Sequence, residues 1–141
     1  MSAGAISLDT SVVVRLLVVH PRQLFDRASR YLKEQHAAAA TIHVSDMVLA
    51  EAYFALQTFY QLPKAEALAA LANFARHSGV TVTPVAGTVL ALPNLASAKP
   101  GFVDRLIHGT SHASGHTLVT FEKAAKKLPG TVVLTSTEAG H

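Results

Sequence analysis

Cysteine is absent from the 141 residues. That excludes disulfides and thiolate metal sites, and nothing in the composition points away from the cytoplasm. Charge is also sparse. Only 15% of residues are Asp, Glu, Lys or Arg against 50% hydrophobic, which excludes a disordered chain. No apolar run approaches the roughly 18 uncharged residues that a membrane span needs. The first residues lack the basic region, long apolar core and cleavage site of a signal peptide. Repeats, low-complexity tracts and linkers are missing too, so one compact domain over 1–141 is expected, with a real core and no room for a second. The net charge of +3 and the pI of about 9.5 suit nucleic acid or an acidic partner and are diagnostic of neither.

What is present is an alternation of short apolar runs and helical stripes. Ala5 to Leu8 reads as a buried strand, ending at the turn and cap residues Asp9-Thr10-Ser11. Val12 to Val19 is β-branched, yet its place after a strand and a cap predicts a short buried helix. His20-Pro21 breaks it. Arg22 to His36 has one apolar face, and the run Ala37 to Ala40 closes that helix. Thr41 to Val44 reads as a brief extended link. Ser45 and Asp46 open the next helix as N-cap and dipole-complementing acid, with Leu49, Ala52, Tyr53 and Leu56 inward.

Pro63 fits the first turn of a helix running to His77, with Gly79 as its C′ residue. Val80 to Thr83 alternates like a short strand, and a short helix is expected around Thr88 to Leu92. A helix from Phe102 to Ser114 stops at Gly115. The strand Thr117 to Phe121, a short basic helix Glu122 to Leu128 and a last strand Thr131 to Thr135 follow, and the polar tail Ser136 to His141 is expected to fray. This order predicts an α/β fold: a mostly parallel central sheet of about four strands with helices on both faces.

Four acids then fall in related places. Asp9 ends the first strand, Glu122 follows the strand Thr117 to Phe121, and Glu51 and Asp104 stand on helices flanking the sheet. Ligand sites in open α/β sheets lie beyond the carboxyl ends of the strands. Clustered carboxylates repel and raise one another's pKa, a conflict that divalent cations resolve. Mg²⁺ and Mn²⁺ take hard oxygen ligands and keep several waters. Such a site suits phosphodiester hydrolysis, with one ion activating water and a second about 4 Å away steadying the leaving oxygen. Each acid also has a plain structural explanation, since Asp9 and Glu122 suit helix starts, Asp104 suits a first turn, and Glu51 suits a solvated helix face.

The segments Ile6 to Ser11, Val44 to Glu51, Gly101 to Ile107 and Leu118 to Lys123 together resemble the four acidic motifs of PIN domains. The closest likeness is to the VapC-type ribonuclease toxins of type II toxin–antitoxin pairs. The resemblance spans nearly the whole chain. It implies a PIN-like α/β domain and a cytoplasmic endoribonuclease, dependent on Mg²⁺ or Mn²⁺, that hydrolyses RNA phosphodiester bonds. Asp9, Glu51, Asp104 and Glu122 would be its catalytic and metal-binding acids. Thr10 or Ser11 matches a family hydroxyl near the site. Glu122 departs from the pattern, because Asp is the commoner residue there, and its extra methylene is tolerable only if it binds through water. The resemblance further implies homodimers, RNA crossing a groove between subunits, and inhibition by a cognate antitoxin inserted into that groove.

Arg15, Arg105 and Lys123 stand next to or near these acids and are candidate phosphate contacts. His108, one helical turn from Asp104, is a candidate partner for that carboxylate or for phosphate. His108, His112 and His116 share a four-residue spacing that suggests a zinc row. The row drifts about 40° per step around a helix, and His116 lies beyond Gly115. Two rival functions stand beside the nuclease. One is a catalytically impaired PIN fold acting by binding, favoured by Glu122. The other is a haloacid dehalogenase-type phosphatase, opposed by Ser11 where a second acid is required.

Overall fold

A computed structural model describes residues 4–136. The first strand, β1 (Ala5–Ser7), pairs in parallel with β2 (Thr41–His43) in the register Ala5↔Thr41, Ile6↔Ile42 and Ser7↔His43. The segment expected as a link is therefore a strand, and a central one. On its other side Thr81 bridges to His43, donating its amide to the Ile42 carbonyl and accepting from the Val44 amide. Backbone groups flanked on both sides need no water, and Ile42 and Val44 are accordingly buried. The expected strand Val80 to Thr83 contracts to that one bridge, because Thr83 turns away to cap a helix.

The helix α1 (Thr10–Leu17) forms despite its valines. The Asp9 carboxylate caps it, and Val13 and Val14 are buried, so tertiary packing overrides a β propensity worth at most about 1 kcal/mol per residue. The long helix α2 (Arg22–Ala37) follows, and α3 (Asp46–Thr58) opens on the Ser45 hydroxyl, which accepts from the Val48 amide. The next helix, α4 (Lys64–His77), ends at Gly79, whose φ of +70° needs glycine. The helix α5 (Pro84–Leu90) starts four residues before the expected Thr88. The Thr83 hydroxyl caps it and Pro84 fills its first turn, a start signal that the surrounding prolines obscure in the sequence.

The helix α6 (Phe102–Ala113) leads to β3 (Leu118–Thr120), a 3₁₀ turn over Lys123–Lys127 and β4 (Thr131–Val133). The strands β3 and β4 are parallel partners. Among the described residues the four parallel strands pair two by two, β1 with β2 and β3 with β4, and no ladder joins β1 to β3. The expected fraying of the tail falls, beyond Ser136, outside the described residues.

The core runs continuously from Leu8 through α1, α3 and α4 to Leu106. Two contacts tie α6 into it. Phe102 meets Tyr53 edge to face at 5.1 Å, both buried. Asp46, expected only to complement the dipole of α3, also accepts hydroxyl bonds from Thr83 at 2.6 Å and from Thr110 at 3.3 Å, so one carboxylate joins α3, α5 and α6.

Close approach of α5 to α6 explains a glycine inside a helix. A Cβ on Gly109 would lie 2.5 Å from Val85 Cγ1, on a β-branched side chain with little freedom to move. Gly109→Ala gains about 1 kcal/mol of helix propensity and loses about 1–3 kcal/mol to overpacking. Thermal denaturation is expected to show a lower midpoint for Gly109→Ala. A raised midpoint would show that the two helices have room between them.

Candidate metal centre

Neighbouring parallel strands send their following helices out side by side. Here β1 leads into α1 and β2 into α3, and the two helices pack against each other. The first turn of α1 therefore meets the second turn of α3. Thr10 Oγ1 donates to Glu51 Oε1 at 2.6 Å. The residue before it, Asp9, accepts at Oδ1 from the Ser11 hydroxyl at 2.6 Å and from the Val12 amide at 3.3 Å. Both carboxylates are exposed at the carboxyl edge of the β1–β2 pair. Both hydroxyls read from the sequence are in use, Ser11 on one acid and Thr10 on the other.

The bonds to Asp9 favour its charged form. The Ser11 hydroxyl first, and the Val12 amide second, hold the Asp9 carboxyl below its ordinary value. A lowered folded-state value means the charge contributes to stability above the usual Asp range, and that contribution is lost as the pH falls through the lower value. Asp9 is thus a carboxylate at neutral pH. Among the described residues no cation pairs with either acid. The only ion pair among the described residues is Arg22 with Asp26, far along the chain on α2. Asp9 and Glu51 are both exposed residues, and the bonds from Ser11, Val12 and Thr10 fall on one oxygen of each, Oδ1 and Oε1.

The other two acids are placed differently. Asp104 is exposed in the first turn of α6, two residues from the Phe102 that packs on Tyr53, itself two residues beyond Glu51. The buried aromatic pair thus ties the helix of Asp104 to the helix of Glu51. Glu122 turns back on itself. Its carboxylate accepts from the Ala124 amide at 3.2 Å and caps the 3₁₀ turn, on a strand pair not joined to β1. Among the described residues no three His, Asp or Glu side chains stand close enough to hold an ion together. The structure bonds Glu51 to Thr10, the chain neighbour of Asp9, and does not gather Asp104 and Glu122 with them into a preformed set of four.

The basic candidates also sort. Arg15 donates to the Tyr60 hydroxyl at 3.0 Å, and Arg105 to the Pro100 carbonyl at 2.7 Å, so both guanidinium groups brace the fold. Lys123 is exposed beside Glu122. His108 is corrected: it is buried, and its Nε2 bonds the Pro129 carbonyl at 2.7 Å while its ring stacks on His112. A ring nitrogen committed to a carbonyl meets neither Asp104 nor phosphate, and the zinc row has no support among the described residues.

The model of the PIN domain family matches residues 6–130. The chain belongs to the PIN domain family. No curated protein and no solved structure matches the chain. PIN domains are in general a nuclease fold, typically metal-dependent hydrolases acting on RNA or DNA. The matched span takes in Asp9, Glu51, Asp104 and Glu122. No helix among the described residues is long and apolar enough to cross a membrane.

The donor set of this PIN domain fits a hard divalent cation. Two exposed carboxylates that form no ion pair among the described residues match the one or two direct carboxylates that Mg²⁺ requires. Thr10 holds the Glu51 carboxylate in place. Thr10→Val is isosteric but cannot donate, and is expected to weaken Mn²⁺ binding by about 10-fold, read by calorimetry, while Thr10→Ser retains it. Equal affinity for Thr10→Val and wild type would show that the Thr10–Glu51 bond does not organise the site.

Proposed function

We propose that this PIN domain is a divalent-metal-dependent endoribonuclease, the toxin of a toxin–antitoxin pair, and that 1–141 form one domain. The observation that carries the nuclease reading is the Asp9–Glu51 pair: two carboxylates held by hydroxyls at one sheet edge, with no cation paired to either among the described residues. Asp9 and Glu51 are the direct ligands for Mg²⁺ or Mn²⁺. Asp104, carried on the helix that the Phe102–Tyr53 contact fastens to α3, completes the set. Glu122, longer than the usual Asp and busy capping its turn, contributes through water.

A divalent ion bound there supplies charge neutralisation at the phosphate and a more acidic water as nucleophile. The chain supplies placement. Ser11 and Val12 keep Asp9 ionised, and Thr10 fixes the Glu51 carboxylate through one of its oxygens. A carboxylate of the set would accept the proton of the attacking water as its oxygen bonds to phosphorus in line, the opposite P–O bond breaking and the leaving oxygen taking a proton from solvent, while Lys123 contacts backbone phosphate.

Homodimer formation fits an exposed apolar face next to Glu51. Met47 and Phe59 are 74% and 79% exposed, and Phe54 and Ile107 are also open to solvent. The toxin reading rests on the resemblance of the four motifs to VapC-type proteins, and it implies a cognate antitoxin that covers the acids. The impaired-binder reading keeps one favouring observation, the engagement of Glu122 in its own cap.

The two readings separate in one assay. Purified protein is expected to cut single-stranded RNA with Mg²⁺ or Mn²⁺ and to stop on EDTA addition. Asp9→Asn and Asp104→Asn are expected to lower the rate by about 100-fold or more. Wild-type rates in either variant would remove the acids from the reaction, and metal binding without EDTA-sensitive cleavage would establish the binder.

A further inference from the structure

A cleft adjoins Asp9. The cleft between α1 and α2 opens at Ser11, whose hydroxyl holds Asp9, and has a volume of about 420 Å³. That lies within the range of small-ligand pockets. On the α2 side its wall is Leu24, Arg27, Ala28 and Tyr31, the i, i+3, i+4, i+7 spacing that normally faces a core. Here the stripe is open, with Leu24 45% and Tyr31 38% exposed, and an arginine interrupts it.

That arginine is unspent. Asp26 beside it is taken by Arg22, and the Arg27 guanidinium lies over the Tyr31 ring, 5.8 Å from its centroid. A flat cation on a flat ring, both reachable from solvent, is a surface on which bases stack. Arg30 and Lys33, on the same helix, are exposed as well, and no acid lines the cleft. The charge complements a polyanion and the shape complements a planar ring.

We propose that this cleft is a subsite for an unpaired base of single-stranded RNA, stacked at the Arg27–Tyr31 pair, with Arg27 meeting a flanking phosphate and the strand passing Ser11 to reach Asp9. The inference rests on the nuclease reading for its direction of travel. A protein segment filling the same cleft would use its apolar area and would not need an aromatic ring at position 31. That difference makes the test.

The probe is a fluorescein-labelled, mixed-sequence single-stranded RNA of about a dozen nucleotides, bound to Asp9→Asn protein and read by anisotropy. Tyr31→Phe keeps the ring and is expected to bind within about twofold of its parent. Tyr31→Leu keeps apolar bulk without a ring, and is expected to bind about 5- to 150-fold more weakly, the range for losing one base–aromatic stack. Arg27→Ala is expected to weaken binding and to lower the salt dependence by about one phosphate contact. Circular dichroism melts confirm that each variant folds.

Equal RNA affinity for Tyr31→Leu and Tyr31→Phe overturns the subsite and leaves the cleft to a protein segment. Cleavage by the otherwise wild-type protein separates the two claims. If RNA is cut in an Asp9-dependent way while Tyr31→Leu binds normally, the subsite fails and the nuclease stands. If RNA binds in a Tyr31-dependent way and is never cut, the nuclease fails and the subsite stands.

Discussion

The packing of α1 against α3 is the constraint on which the candidate site depends. It follows from a three-residue parallel ladder, β1 on β2, that launches both helices from the same sheet edge. Val13, Leu49, Ala52 and Leu56 are fully buried, so the helices cannot separate without exposing the core. The hydrogen bond from Thr10 to Glu51 is the polar consequence of that packing. Everything proposed about metal and RNA assumes that this edge stays assembled.

Around it, each further element adds one adjustment. The Phe102–Tyr53 contact brings α6, with Asp104, toward α3. Asp46 gathers hydroxyls from α5 and α6, and Gly109 lets those two helices touch. The α1–α2 cleft then extends the edge into a groove with an aromatic and a guanidinium in its wall. The β3–β4 pair stands apart from β1 and carries Glu122 with it. The acid that departs from the family pattern is therefore also the acid on the strand pair that no ladder joins to β1.

Much of this was legible in the residues, for reasons that can be named. Helix starts at Asp46 and Phe102 and the stop at Gly79 follow from local chemistry, a serine cap, a proline–glycine entry and a left-handed turn. The first acid was legible because Asp9 ends a strand before a polar triplet. The rest depended on distance in the chain. Strand β2 looks like a link because its three residues acquire meaning only from partners at Ile6 and Thr81. His108 looked like a site residue because spacing shows a shared helix face and not that Pro129, 21 residues on, takes its ring nitrogen. Tyr31 lies on the apolar face of the helix Arg22 to His36, and an apolar stripe reads the same whether or not anything covers it.

The central claim is that Asp9 and Glu51, held by Ser11 and Thr10, form the cation-binding pair of this PIN domain. Substoichiometric Mn²⁺ added to isotopically labelled protein tests it directly, through paramagnetic broadening of backbone amide signals. The account predicts that the amides of residues 9–12 and 50–52 broaden first, and that EDTA restores them. Broadening centred on the histidines of α6, or spread over the chain with no focus, would contradict it.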